Sequence, residues 1–156
     1  MSDLPHLDAT GAARMVDVGA KEVTRRSATA TGRLKVCPAA IAALREGGVP
    51  KGDALAVARV AAIAGTKRTA DLIPLCHPLP LEGVDVTLEV LDDAVAIRVT
   101  ARTTGRTGVE MEALTGVAIA GLALHDMLKA IDPAAVLTDV QLEHKSGGRS
   151  GQWSRP

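Results

Sequence analysis

The chain has no phenylalanine, no tyrosine and a single tryptophan. A core without aromatics is built from Val, Leu, Ile, Ala and Met, small side chains that suit close helix–sheet packing. Readers of single-stranded nucleic acid need aromatic stacking platforms, so this absence argues against that class. Excess charge is also missing: 18 basic residues balance 18 acidic ones. Neutrality argues against a non-specific nucleic-acid binder, although a local basic cluster still suits phosphates. Cys37 and Cys76 have no CxxC spacing and read as free thiols of a reducing compartment. The N-terminus, MSDLPHLDATG, lacks the basic-then-apolar pattern of a secretory signal. The longest apolar stretch carries charge at both ends and reads as too short for a membrane span. The expectation is one soluble, cytoplasmic domain over residues 1–156, with no membrane and no nucleic-acid partner.

What is present concentrates between Gly105 and Asp132, GRTGVEMEALTGVAIAGLALHDMLKAID. A charged, glycine-containing opening leads into a nearly charge-free helix from Leu114 to Leu124 and ends in His125, Asp126 and Lys129. A helix apolar on all sides is buried. Charges at its end need partners or a task.

The rest of the chain reads as alternating elements. Residues 1–13 look like an extended arm. Residues 14–18 and 28–36 are candidate strands. Pro38 opens a helix that runs to Arg45 and stops at Gly47-Gly48. Asp53 caps a second helix over residues 54–65, and the three prolines of residues 72–81 impose an extended, rigid segment. Residues 84–90 and 95–100 alternate apolar and polar side chains, and Asp92-Asp93 joins them as an antiparallel hairpin. The long helix spans residues 111–130, a last strand covers residues 136–143, and residues 145–156 form a flexible, glycine-rich basic tail. Strands with helices on one face make an α+β sandwich. The long helix has more apolar surface than one sheet covers, which predicts a second subunit against it.

Asp126 and Lys129 share a helical face. An ordinary surface ion pair is the plain reading, but the pair emerges from an interior helix, and a carboxylate beside an ammonium is a plausible acid–base couple. Glu110 and Glu112 precede the apolar run. Acid at a helix N-terminus explains one of them better than both. Cys76-His77 lacks the spacing and the second pair of a structural zinc site. Lys51-Gly52-Asp53 aims a cation and free N–H groups at one place, as anion sites at helix starts do. Lys21, Arg25 and Arg26 make a basic cluster, Lys67 and Arg68 follow the second helix, and Lys145 and Arg149 lie among tail glycines. No Walker loop, dinucleotide fingerprint or nucleophile elbow appears. The pattern implies a small, highly anionic substrate and acid–base chemistry.

LCHPLPL at 75–81, TGVEMEALT at 107–115, DMLKA at 126–130 and KSGGRSG at 145–151 resemble the MoaC family. ARMVDV at 13–18, KGD at 51–53 and KRTADLIPL at 67–75 fit the same pattern, so the resemblance covers nearly the whole chain. It implies a cyclic pyranopterin monophosphate synthase of molybdenum cofactor biosynthesis, a lyase acting on 3′,8-cyclised dihydro-GTP and releasing pyrophosphate. It also implies a ferredoxin-like α+β sandwich assembled as a homohexamer, a trimer of dimers with sites at subunit interfaces. Asp126, helped by Lys129 and Lys51, would be catalytic. Leu75, Cys76 and His77 would line the substrate pocket, and Glu110, Met111 and Glu112 would hold its guanine-derived end. Arg25 or Arg26, Lys67 and Lys145 would neutralise the triphosphate. No protein-bound metal is required, and a triphosphate substrate is compatible with accompanying Mg²⁺. The chain departs from the family pattern at His125, where tyrosine is common, and at Gly116 and Gly121. His125 is thereby a candidate to alter Asp126. A non-catalytic nucleotide or RNA binder, with steep salt dependence and no conversion, is the competing class.

Overall fold

The computed structural model describes residues 6–156; residues 1–5 of the expected arm lie outside the described residues. Nine elements follow in order. They are β1 (Thr24–Lys35), α1 (Pro38–Glu46), α2 (Ala54–Lys67), α3 (Thr69–Leu72), β2 (Leu81–Val90), β3 (Ala94–Gly105), α4 (Glu110–Leu128), β4 (Val136–Ser146) and β5 (Trp153–Ser154). The strands form one antiparallel sheet in the order β2-β3-β1-β4-β5. The protein is therefore an α+β fold, as the strand and helix patterns imply.

Alternation decides which face of the sheet is buried. Ala28, Ala30 and Leu34 of β1 and Val95, Ile97, Val99 and Ala101 of β3 point to the helices and are fully or almost fully buried. Their neighbours along each strand, Ala94 and Ala96 aside, are polar and make the opposite face. There Thr29 meets Thr100 at 2.8 Å, the Thr31 hydroxyl donates to Glu143 at 2.5 Å, and Arg102 pairs with Asp85 at 2.6 Å.

Helix ends follow local chemistry. Pro38 sits in the first turn of α1, and Gly47 closes it with φ 73°. The free N–H of Cys37 at the start of α1 is taken by buried Asp132 at 2.7 Å, so the end of the α4 region caps a helix 95 positions away. The Asp53 carboxylate accepts from the Ala56 N–H at 2.9 Å, which is the predicted cap of α2.

Helix α4 packs on β1, β3 and β4, and α2 packs beside α4. The second cover expected from another subunit is thus largely supplied by α2 of the same chain. Gly116 makes this possible: a Cβ there would collide with the Thr66 hydroxyl of α2 and with Val99 of β3. Leu122 remains 59% exposed. At 19 residues α4 is long and apolar enough to cross a membrane, so length does not separate it from a span as expected. Its packing marks it as a core helix instead, with 56% of the apolar window buried.

Other differences are local. Residues 14–18 pair with no strand, because the Asp17 side chain takes the Gly19 N–H at 2.8 Å and turns the chain there. The arm is not simply extended, since Leu7 bridges Ala13 around a turn held by Asp8. β1 begins at Thr24 rather than 28, β4 continues to Ser146, and Trp153–Ser154 returns along it as β5. The short helix α3 was not expected.

Candidate active site

The candidate residues fall into two groups at opposite ends of α4. At its C-terminal end, Asp126 holds two ammonium groups. Lys129, one turn on, lies 2.8 Å from Oδ1, and Lys51, just ahead of α2, donates to Oδ2 at 2.8 Å. Because α2 runs antiparallel to α4, the loop before α2 arrives beside the last turn of α4. Lys51 therefore pairs with Asp126 at the last turn of α4. Lys129 first, then Lys51, hold the Asp126 carboxyl down at about 2. His125 is not among the causes of that shift.

At the N-terminal end of α4 lies a cleft of about 1320 Å³. The proline-stiffened segment contributes Leu75, Cys76 and His77, and α4 contributes Glu110, Met111 and Glu112. Residues 16–22, unpaired with any strand, form another wall together with Gly147–Ser150 of the tail. Arg26 shares the helix-facing side of β1, enters the cleft, and is held by an Nε donation to the Gly105 carbonyl at 2.9 Å. Arg25, next along the strand, faces the other way, and Lys67 is exposed at the end of α2; neither lines the cleft. Lys145 reaches in from β4 and pairs with Glu110 at 3.0 Å.

The two glutamates differ. Glu110 is partly exposed and has Lys145, whereas Glu112 is only 4% exposed. Burial pushes the Glu112 carboxyl up to about 7, and negative Glu110 adds to the rise. Burial, followed by the charge of Glu112, also raises the Cys76 thiol. Near neutral pH the cleft floor therefore offers a carboxyl poised between donor and acceptor. Arg106, Lys21 and Arg149 add cationic groups at the rim that the motif reading did not assign to the pocket. Lys21 belongs to the basic cluster of residues 21–26 and Arg149 to the tail motif, whereas Arg106 is a single cation in the loop before α4.

Among the described residues, no group of three or more His, Cys, Asp or Glu side chains is arranged to hold a metal ion. Cys76 and His77 form part of the cleft wall.

The model of the MoaC family matches residues 15–148. The chain is 61% identical to the cyclic pyranopterin monophosphate synthase of Streptomyces coelicolor over 152 residues, covering 97% of this chain and 89% of that protein. It is 60% identical to the synthase of the same name from a Nocardioides species, with both chains covered in full. Cyclic pyranopterin monophosphate synthase 2 of Mycobacterium tuberculosis is 54% identical over 153 residues, covering 98% of this chain and 92% of its own. Family match and full-length likeness agree, and the chain belongs to the MoaC family.

Proposed function

We propose that this chain is a cyclic pyranopterin monophosphate synthase that acts in the cytoplasm. It converts 3′,8-cyclised dihydro-GTP into cyclic pyranopterin monophosphate and pyrophosphate, a phosphorus–oxygen lyase reaction. The observation that carries the reading is the name borne by relatives that match the chain along its full length. The cleft supports it. Its volume accommodates a nucleoside triphosphate, and Arg26, Lys145, Arg106 and Arg149 supply the cations a departing pyrophosphate needs. Glu110, Met111 and Glu112 receive the guanine-derived end, where a carboxylate accepts N–H donors and a neutral carboxyl serves a carbonyl.

Forming the cyclic phosphate requires a sugar hydroxyl to bond to the α-phosphorus while the bond to the β-phosphate oxygen breaks. The hydroxyl proton leaves to a base. In the free chain Asp126 is a doubly paired carboxylate, and it takes up a proton only once a lysine turns from it toward substrate. Mg²⁺ enters in this reading with the triphosphate and not as a resident ion.

The reading includes a homohexamer, a trimer of dimers. One helix holds the cleft and the Asp126 trio far apart, so a working site takes the cleft of one subunit and the trio of another. The strand order β2-β3-β1-β4 with two helical crossovers favours the ferredoxin-like description. The test is incubation with 3′,8-cyclised dihydro-GTP, following pyrophosphate and pterin product by mass spectrometry. Conversion that is lost in Asp126→Asn supports the reading, and no conversion by the folded oligomer overturns it.

A further inference from the structure

The C-terminal residues close a loop over the cleft and are tied down at both ends. After Lys145 the chain turns through Gly147, Gly148 and Gly151, at φ 98°, 70° and 62°. Side chains other than glycine resist that region. Gly147 and Gly148 press on the start of β1. A Cβ on the first would meet the Arg25 carbonyl, and one on the second would meet the Arg26 guanidinium. The exit is fastened to β4. Trp153 lies opposite Lys145 and Ser154 opposite His144, with the Ser154 hydroxyl 3.0 Å from His144 Nδ1.

Arg155 completes the fastening. Its backbone N–H donates to the Glu143 carbonyl at 2.9 Å, and its Nε donates to the Leu142 carbonyl at 2.8 Å. Its Nε also lies 3.8 Å from the Glu143 carboxylate. That carboxylate is fixed in turn by Thr31 at 2.5 Å and Gln141 at 2.8 Å. Between the two tied ends, Gly147, Gly148, Arg149 and Ser150 line the cleft. Among the described residues Arg149 has no hydrogen bond or ion pair, so its guanidinium is available to a ligand. A short loop held at both ends has lost much of its freedom before a ligand arrives, which lowers the ordering cost of binding.

We propose that β5 and Arg155 form a clasp, with Arg155 a positioning residue that holds residues 147–150 and Arg149 as the polyphosphate-binding wall of the cleft. The proposal rests on the reaction proposed above and adds residues outside its catalytic set. β5 is exposed and contributes nothing to the core, so the clasp acts on ligand affinity and not on folding.

The test titrates inorganic pyrophosphate into the full-length oligomer by calorimetry, with steady-state kinetics and thermal unfolding in parallel. Arg155→Ala weakens pyrophosphate binding by about tenfold or more and raises KM alike, with kcat within about twofold and Tm unchanged. A chain ending at Gly151 shows the same loss, and Arg155→Lys recovers part of it. Suppose the parent binds, Lys145→Ala loses binding, and both clasp variants bind like the parent. The clasp is then wrong and the reaction reading stands. A weakening matched by a fall in Tm makes Arg155 merely structural and also overturns the clasp. A parent that neither binds pyrophosphate nor converts substrate overturns the reaction reading and the clasp with it.

Discussion

Glu110 and Asp126 stand sixteen residues apart on α4, which places them about 24 Å from one another along the helix axis. Reacting groups must approach within about 3–3.5 Å, so one chain does not bring both ends of α4 to a single bond. The site proposed above therefore predicts complementation between defective subunits. Lys145→Ala chains, weakened in substrate binding, and Asp126→Asn chains each keep about a tenth or less of the parental kcat/KM alone. Reassembled together from dissociated subunits in equal amounts, they recover about a quarter of the parental activity, because that share of interfaces pairs an intact cleft with an intact trio. Mixed oligomers no more active than the separate variants would show that each chain carries its own complete site.

Asp126 sits between Lys129 and Lys51, and its pKa of about 2 is set chiefly by the hydrogen bonds to those two ammonium groups. The free enzyme consequently shows no acid limb from Asp126 in kcat/KM between about pH 5 and 8, since that profile reports the unliganded protein. Asp126→Asn lowers kcat by about 10²–10⁴-fold, the range of a lost acid–base group. The trio is exposed, so the thermal transition barely moves. A limb near pH 6 in the parent that disappears in the variant would show that Asp126 titrates far above its paired value.

Lys145 and Glu110 meet across the cleft at 3.0 Å, and both are largely shielded from solvent. A bound polyphosphate competes for the same ammonium. Lys145→Ala is expected to raise KM by about tenfold, with a smaller fall in kcat, and to flatten the dependence of KM on salt. Initial rates at several ionic strengths check this. An unchanged KM would remove Lys145 from the triphosphate site.

Much of this architecture is legible in the sequence, because period and punctuation are local. The alternation in residues 84–90 and 95–100 gives the hairpin, Pro38 and Gly47 bound α1, and Asp53 caps α2. The strand expected at residues 14–18 does not form, since a strand also needs a partner edge, and the Asp17 turn diverts the chain into the cleft wall. Candidate residues were nameable from their motifs, but their division was not. Lys51, Asp126 and Lys129 converge because α2 and α4 are antiparallel, and Arg26 rather than Arg25 reaches the cleft because strand parity selects it. The contribution of residues 153–155 depends on pairing with β4, for which a glycine-rich tail carries no periodic signal.

Gly116 departs from helix propensity for a packing reason. Alanine is preferred over glycine inside a helix by about 1 kcal/mol, so an exposed site would gain from the change. Here the new methyl meets the Thr66 hydroxyl and a Val99 methyl at the junction of α2, α4 and β3. Thr66 is itself fixed by donation to the Ala62 carbonyl at 2.8 Å. Gly116→Ala is therefore expected to destabilise by about 1–3 kcal/mol, as overpacked cores do. Urea unfolding at matched protein concentration measures it, and a gain in stability would show that α2 and α4 have room to separate.

Glu112 supplies the sharpest dependence on pH. Its carboxyl titrates near 4.5 when unfolded and near 7 when buried in the first turn of α4, with desolvation the main cause. Below about pH 4.5 both states are protonated, and the group favours neither. Between 4.5 and 7 the folded state keeps the proton that the unfolded state has released, so stability falls as pH rises and levels off above about 7. The total is roughly 3 kcal/mol at most. Glutamine cannot ionise and escapes this loss. The stability of Glu112→Gln relative to the parent should thus rise steadily from pH 4.5 to 7.5 and then stay constant. Chemical denaturation of both proteins across that range, at one protein concentration, gives the difference directly. A difference independent of pH would mean that Glu112 is ionised in the folded cleft at all these values, and that a cation approaches it in the assembled protein.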